Sequence, residues 1–195
     1  MSLSCWQVHA AQVNVTVNDT DGKPVGDAVV YLLPPAGSVL PKPRDAQIDQ
    51  KDRTFVPTVS VIQTGTSVSF PNSDNIRHQV YSFSPAKPFN LKLYSGKAAA
   101  PVVFDKPGAV VLGCNIHDQM AAWVFVVDTP WFGKSDANGK VSIKNLPDAG
   151  YELRIWHPGQ RREADKSTLN VSGDVNKVVV IDAAPITGMH THTEH

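Results

Sequence analysis

The sequence predicts an all-β protein made of two sandwiches, one interrupting the other, and three observations lead there. Apolar and polar residues alternate at Val13, Val15 and Val17, at Val141 and Ile143, and at Tyr151, Leu153 and Ile155, which is the two-residue period of a strand. Fifteen Pro and thirteen Gly break up the 195 residues, and few stretches have helical period. The style of the opening residues also returns after Pro130, with a different kind of segment between.

The elements follow in order. Val13 to Val17 form a strand that ends in the turn Asn18-Asp19-Thr20-Asp21-Gly22. Residues 28–33 form a second strand, closed by a proline-rich, stiff connection over 34–43. From Phe55 to Phe70 the alternation resumes through Val59 and Val61, a Thr64-Gly65 turn, then Val68 and Phe70. Residues 78–83, 102–104, 109–112 and 122–127 read as further strands. After Pro130 come Val141 and Ile143, Tyr151 to Ile155, Leu169 to Val171 and 177–181. The tail from Ala183 has no pattern and is expected to be disordered.

Ser135-Asp136-Ala137-Asn138-Gly139-Lys140 repeats the chemistry of Asp19-Thr20-Asp21-Gly22-Lys23, and Leu146-Pro147-Asp148-Ala149-Gly150-Tyr151-Glu152-Leu153 follows it. A D-x-x-G-K turn followed by L-P-x-x-G-Y-x-L resembles the carboxypeptidase-regulatory or transthyretin-like modules. That resemblance covers about half the chain and implies one discontinuous Ig/transthyretin-like sandwich from residues 12–50 plus 129–182, around a separate domain at 51–128. One larger sandwich with extra strands is the alternative.

Lys and Arg total 18 against 18 Asp and Glu, so no basic field points to nucleic acid. No apolar run approaches the roughly 18 residues that span a bilayer. Residues 1–11 read as a signal-peptide remnant or a frayed end, with Val8-His9-Ala10 resembling a cleavage site and implying export to the periplasm. Removing that segment removes Cys5 and leaves Cys114 as the lone thiol. A lone thiol in an oxidising compartment is a liability unless something, such as a metal, occupies it.

Chemistry concentrates in Cys114-Asn115-Ile116-His117-Asp118-Gln119-Met120. A thiolate, an imidazole and a thioether within one short loop are soft enough for copper, whereas zinc, magnesium and calcium sites do not use a thioether in this way. His78 supplies the missing imidazole. Two His, one Cys and an axial Met form the blue-copper electron-transfer set. Parity agrees: His78 shares a face with Val80, Cys114 with Val110 and Leu112, and Met120 with Ala122, Val124 and Val126, so these three ligands point inward.

Phe55-Val56-Pro57, Gly65-Thr66-Ser67-Val68-Ser69-Phe70, Asn72, His78 and the Cys114 loop resemble a cupredoxin. The C-x2-H-x2-M spacing is similar to that of the amicyanins, and the whole chain resembles bacterial proteins of methylamine-utilisation or plastocyanin-like type. The resemblance implies a Greek-key cupredoxin sandwich inserted in or packed on the second sandwich. It implies one type 1 copper on His78, Cys114, His117 and Met120, with the exposed edge of His117 as the electron port. Gln79 stands where Asn commonly follows the first His ligand, so Asn72 or Asn115 is the candidate to tie the ligand strands together. Ile116 replaces the usual loop proline and frees a backbone N–H to bond near the sulfur.

The leading function is therefore a periplasmic electron carrier and not an enzyme. Its redox partners would be a donor and an acceptor such as a c-type cytochrome or a periplasmic dehydrogenase, with no nucleic acid and no membrane span. The alternative is a periplasmic copper-binding and delivery protein, helped by the His-containing tail at 183–195. A nonredox adhesion or scaffold module is a third reading. Taken singly, Cys114 would be a buried inert thiol and His78 or His117 a structural histidine. His157, beside Pro158 at a strand end, reads as structural, and Asp118 as solvated. Trp123 and Phe125 read as packing residues.

Overall fold

The computed structural model describes residues 11–97, 100–164 and 166–186. Of the leader expected at 1–11, residues 1–10 lie outside the described residues, as do the tail histidines, and Ala11 is buried at the start of a strand. Among the described residues there are strands and turns and no helix, so the all-β expectation holds. No described helix is long and apolar enough to cross a membrane.

The described residues divide into two compact units, 11–38 with Trp131–Asp182, and Val39–Pro130 with 183–186. In the first unit the Ala11–Asn18 strand is central to a three-stranded sheet. It runs antiparallel to Lys140–Leu146 and parallel to Val175–Val180. Val13, Val15 and Val17 are buried, as their alternation requires. A second, antiparallel sheet carries Phe132–Lys134, Val29–Leu33, Ala149–Trp156 and Ser167–Val171 in that order. The two sheets approach so closely at Gly133 that a Cβ there would collide with Val141.

The two D-x-x-G-K turns share one hydrogen-bond pattern. Asp19 Oδ1 accepts from the Asp21 and Lys23 amides, and Asp136 Oδ1 accepts from those of Asn138 and Lys140. Gly22 and Gly139 take the positive φ that each turn needs, +80° and +72°. Their likeness in sequence is therefore a likeness in geometry.

In the second unit a five-stranded sheet runs Phe89–Tyr94, His78–Ser82, Gly108–Gly113, Ala121–Val127 and Val59–Gln63. Opposite it lie shorter ladders, Val102–Phe104 with Thr66–Ser69 and Ala46–Gln47, and Gly96–Lys97 with Pro71–Asn72, Asp49–Lys51 and Thr54–Val56. Ile48, Phe55, Val68, Phe70 and Phe104 meet Val80, Val110, Leu112 and Val124 in one core, to which Cys114 and Met120 belong. The Thr64-Gly65 turn forms where expected, with Gly65 at φ +90°.

Two details differ from the sequence reading. The first unit ends at Ser38, not near Gln50, because Ala46–Gln47 and Asp49–Lys51 pair with strands of the central unit and Ile48 enters its core. Along Val59–Gln63 the alternation is interrupted: Val59 and Ile62 are buried and Val61 is half-buried.

Candidate metal centre

Cys114 follows the Gly108–Gly113 strand, and Met120 precedes the Ala121–Val127 strand to which it pairs. Two successive turns join them. The His117 amide donates to the Cys114 carbonyl (3.4 Å), and the Met120 amide donates to the His117 carbonyl (2.9 Å). Each turn closes over one x-x spacer, so the three-residue spacing returns Cys114, His117 and Met120 to the same side. Cys114 is 3 % and Met120 2 % exposed, while His117 stays partly open to solvent.

His78 opens the neighbouring strand and is fully buried. Its Nδ1 lies 3.9 Å from Cys114 Sγ, and His117 Nδ1 lies 3.9 Å from the same sulfur. The two imidazoles meet edge on, 4.9 Å between centroids. All three donor atoms fall within 4.8 Å of one another. Metal bonds to nitrogen and sulfur of about 2.0 and 2.3 Å sum to about 4.3 Å, so one ion can touch both members of either 3.9 Å pair. The donor set fits a soft transition metal, because two imidazoles and a thiol converge, with His78 and Cys114 buried and His117 partly open.

The other face of His78 is held by a residue the sequence reading missed. Asp74 Oδ2 lies 2.7 Å from His78 Nε2. The Asp74 carboxylate also accepts the amides of Asp52 (2.7 Å) and Arg53 (3.0 Å). Burial acts to raise the Asp74 carboxyl, but the Arg53 amide, the His78 side chain and the Asp52 amide together hold it below its usual value. His117 is pushed below the ordinary histidine range by lost solvation first, then by the His78 and Arg53 charges, which favours the neutral ring that can act as a ligand.

Asn72 shapes the loop that delivers both residues. Its amide nitrogen donates to the Ile76 carbonyl (2.8 Å) and the Tyr94 carbonyl (2.9 Å), and its oxygen accepts the Asp74 amide (3.0 Å). Gln79 points elsewhere, donating to Asn90 on the exposed face. Asn115 and Ile116 are exposed on the ligand loop. Among the described residues the Cys114 sulfur has two hydrogen-bond partners, both imidazole nitrogens, so the Ile116 amide is not one of them. Behind the site, the Tyr94 hydroxyl donates to the Phe70 carbonyl (2.6 Å) and accepts from the buried Gln50 amide. Burial, with the Asp49 and Cys114 charges adding, pushes the Tyr94 phenol up to about 12.

A signal for Asp74 exists in the sequence, a carboxylate four residues before His78, but that spacing has meaning only once the 72–78 loop is folded. His157 is buried in the other unit, where its Nδ1 accepts the Gly159 amide. It belongs to the first unit, whereas His78, Cys114 and His117 belong to the central one.

No family model matches the chain, and no curated protein matches it. Among solved structures it is similar to the copper-containing nitrite reductase from Thermus scotoductus SA-01, at 26 % identity and a TM-score of 0.41 over 48 % of this chain. The match spans 25 % of that enzyme's length. It is also similar to a purple cupredoxin from Nitrosopumilus maritimus, at 24 % identity and a TM-score of 0.38, over 43 % of this chain and all of that one. A Cu(I) amicyanin variant matches at 14 % identity and a TM-score of 0.39, over 52 % of this chain and 99 % of its own. The chain's own fold is all-β among the described residues, with a His–Cys–His group at 78, 114 and 117.

Proposed function

We propose that this chain is a periplasmic type 1 (blue) copper protein that carries single electrons, with one copper ion held by His78, Cys114, His117 and Met120. The observation that carries the reading is the convergence of His78 Nδ1, Cys114 Sγ and His117 Nδ1 within 4.8 Å, in the core that also contains Met120. Bound copper would supply the one-electron couple.

The protein's own contribution is to fix and shield the donors. Cys114 as thiolate would lower the net charge of the site, and the surrounding core of Val80, Leu112 and Val124 excludes water. The paired turns of the ligand loop hold Cys114, His117 and Met120 at set spacing, so little rearrangement accompanies a change of charge. His117, partly exposed beside the 48 % exposed Ile116, is the route outward and the face for a redox partner such as a c-type cytochrome or periplasmic dehydrogenase. The proposed role is that of a carrier rather than an enzyme, with Met120 as the fourth ligand. The first unit would be a carboxypeptidase-regulatory-like module, supported by its two matching Asp-Gly-Lys turns.

Titration of the full chain with Cu(II) tests the reading. One equivalent should produce strong visible thiolate-to-copper absorption and a reversible one-electron couple. A protein that holds only Cu(I), surrenders it to a chelator and shows no stable couple is a delivery protein. Turnover of nitrite by the loaded protein would overturn the non-enzymatic part.

A further inference from the structure

His78 has two nitrogens with different tasks, and the structure assigns each a partner. Nδ1 faces the Cys114 sulfur, and Nε2 faces Asp74 at 2.7 Å. A carboxylate has only lone pairs to offer, so Nε2 carries the proton and Nδ1 is left with its lone pair aimed into the His–Cys–His group.

What holds the carboxylate is unusual for so short a segment. Asp52 and Arg53 both adopt left-handed backbone, at φ +54° and +56°, a conformation costly for residues with a Cβ. In it, their successive amides point at Asp74, one onto Oδ1 and one onto Oδ2. The Asp74 amide is itself tied to the Asn72 side chain. The carboxylate is thus anchored independently of His78, from a turn more than twenty residues away in sequence. An anchored anion behind an imidazole raises the ring's donor strength and stabilises higher charge on whatever it ligates.

We propose that Asp74 is the positioning residue of this centre: clamped by the Asp52 and Arg53 amides, its carboxylate fixes the Nε2–H tautomer of His78 and strengthens Nδ1 as a ligand, favouring Cu(II) over Cu(I). This rests on the copper reading above. Asp74 touches no copper itself and acts through His78. Its removal therefore weakens the oxidised form more than the reduced one and raises the reduction potential.

The test uses the full chain and its Asp74→Asn variant, with two readouts. In metal-free wild-type protein, long-range 1H–15N spectra should show His78 protonated at Nε2; protonation at Nδ1 overturns the proposal without any variant. In Asp74→Asn the Nδ1–H form should grow, Cu(II) affinity should fall by about 10–100-fold, and Cu(I) affinity should change less. Each tenfold differential loss raises the one-electron potential by about 59 mV. Asp74→Glu, which keeps a carboxylate, should bring the potential back towards wild type. A merely structural role would lower the melting temperature of Asp74→Asn while leaving tautomer and potential unchanged, and that result overturns the inference. Wild-type protein that takes up no copper sinks the function proposed above; wild-type protein that binds copper, with an indifferent variant, sinks this inference alone.

Discussion

The Tyr81 ring fills the space that a side chain at Gly113 would need, so that a Cβ there would sit 2.8 Å from the ring. The two residues are register partners across the His78–Ser82 and Gly108–Gly113 strands, one position before Cys114. Tyr81 therefore sets how the Cys114 backbone enters the ligand loop. Gly113→Ala should destabilise the central unit by about 1–3 kcal/mol through overpacking and disturb the visible spectrum of the copper form. Adding Tyr81→Ala to that variant should relieve the clash. Equal melting temperatures for Gly113→Ala and wild type would refute the constraint.

Cys114→Ser should abolish visible absorption while the far-ultraviolet circular dichroism of the β fold persists, since one ligand is lost and the core is otherwise intact. Copper itself should stabilise wild type by mass action, by about 4 kcal/mol at a thousandfold excess over its dissociation constant. Calorimetry with and without copper measures this, and an unchanged melting temperature counts against a tight site.

Acid should weaken the first unit through His157. Burial holds this histidine below its usual value of 6.5, while the Asp27 charge and the Gly26 backbone act weakly in the other direction. As the pH falls below 6.5, the unfolded chain takes up the proton before the folded chain does. Stability is therefore whole above that value and is lost as the pH falls from it through the depressed value in the fold. His157→Asn, whose side-chain oxygen can still accept the Gly159 amide, should flatten this slope in denaturant titrations across mildly acid pH. A slope identical to wild type would exclude His157 as its source.

Gly139 and Gly22 take the same turn conformation but meet different surroundings. A Cβ at Gly139 would collide with the Val17 carbonyl and approach Pro24, whereas one at Gly22 meets nothing within 4 Å. Gly22→Ala should cost only the left-handed backbone penalty of about 1–2 kcal/mol, and Gly139→Ala clearly more. Matched thermal unfolding of the two variants decides the order.

Much of the site could be read from residue order because its strands alternate faithfully. His78, Cys114 and Met120 share parity with Val80, Leu112 and Ala122, and all six are buried. The spacing within 114–120 also fixed two turns, since each spacer admits one amide-to-carbonyl closure. Asp74 was not legible: its partners at Asp52 and Arg53 reach it only through the fold, and nothing local marks those residues as left-handed. The Phe89–Tyr94 strand was missed although Phe89, Leu91 and Leu93 alternate, because an edge strand that buries neither face fully is weakly specified by pattern. Asp49 and Gln50 were assigned to the other unit because their polar sequence follows a proline-rich connection and their pairing is set by distant strands.

The Ala11–Asn18 strand pairs on one side with Lys140–Leu146 and on the other with Val175–Val180. During synthesis both its edges wait, unsatisfied, while the whole segment that carries the His–Cys–His group emerges from the ribosome. A strand with one apolar face left open that long is a template for another nascent chain. Contacts this remote in sequence also close slowly. The central unit can mature first, and the unit that holds Ala11–Asn18 is the last to be sealed.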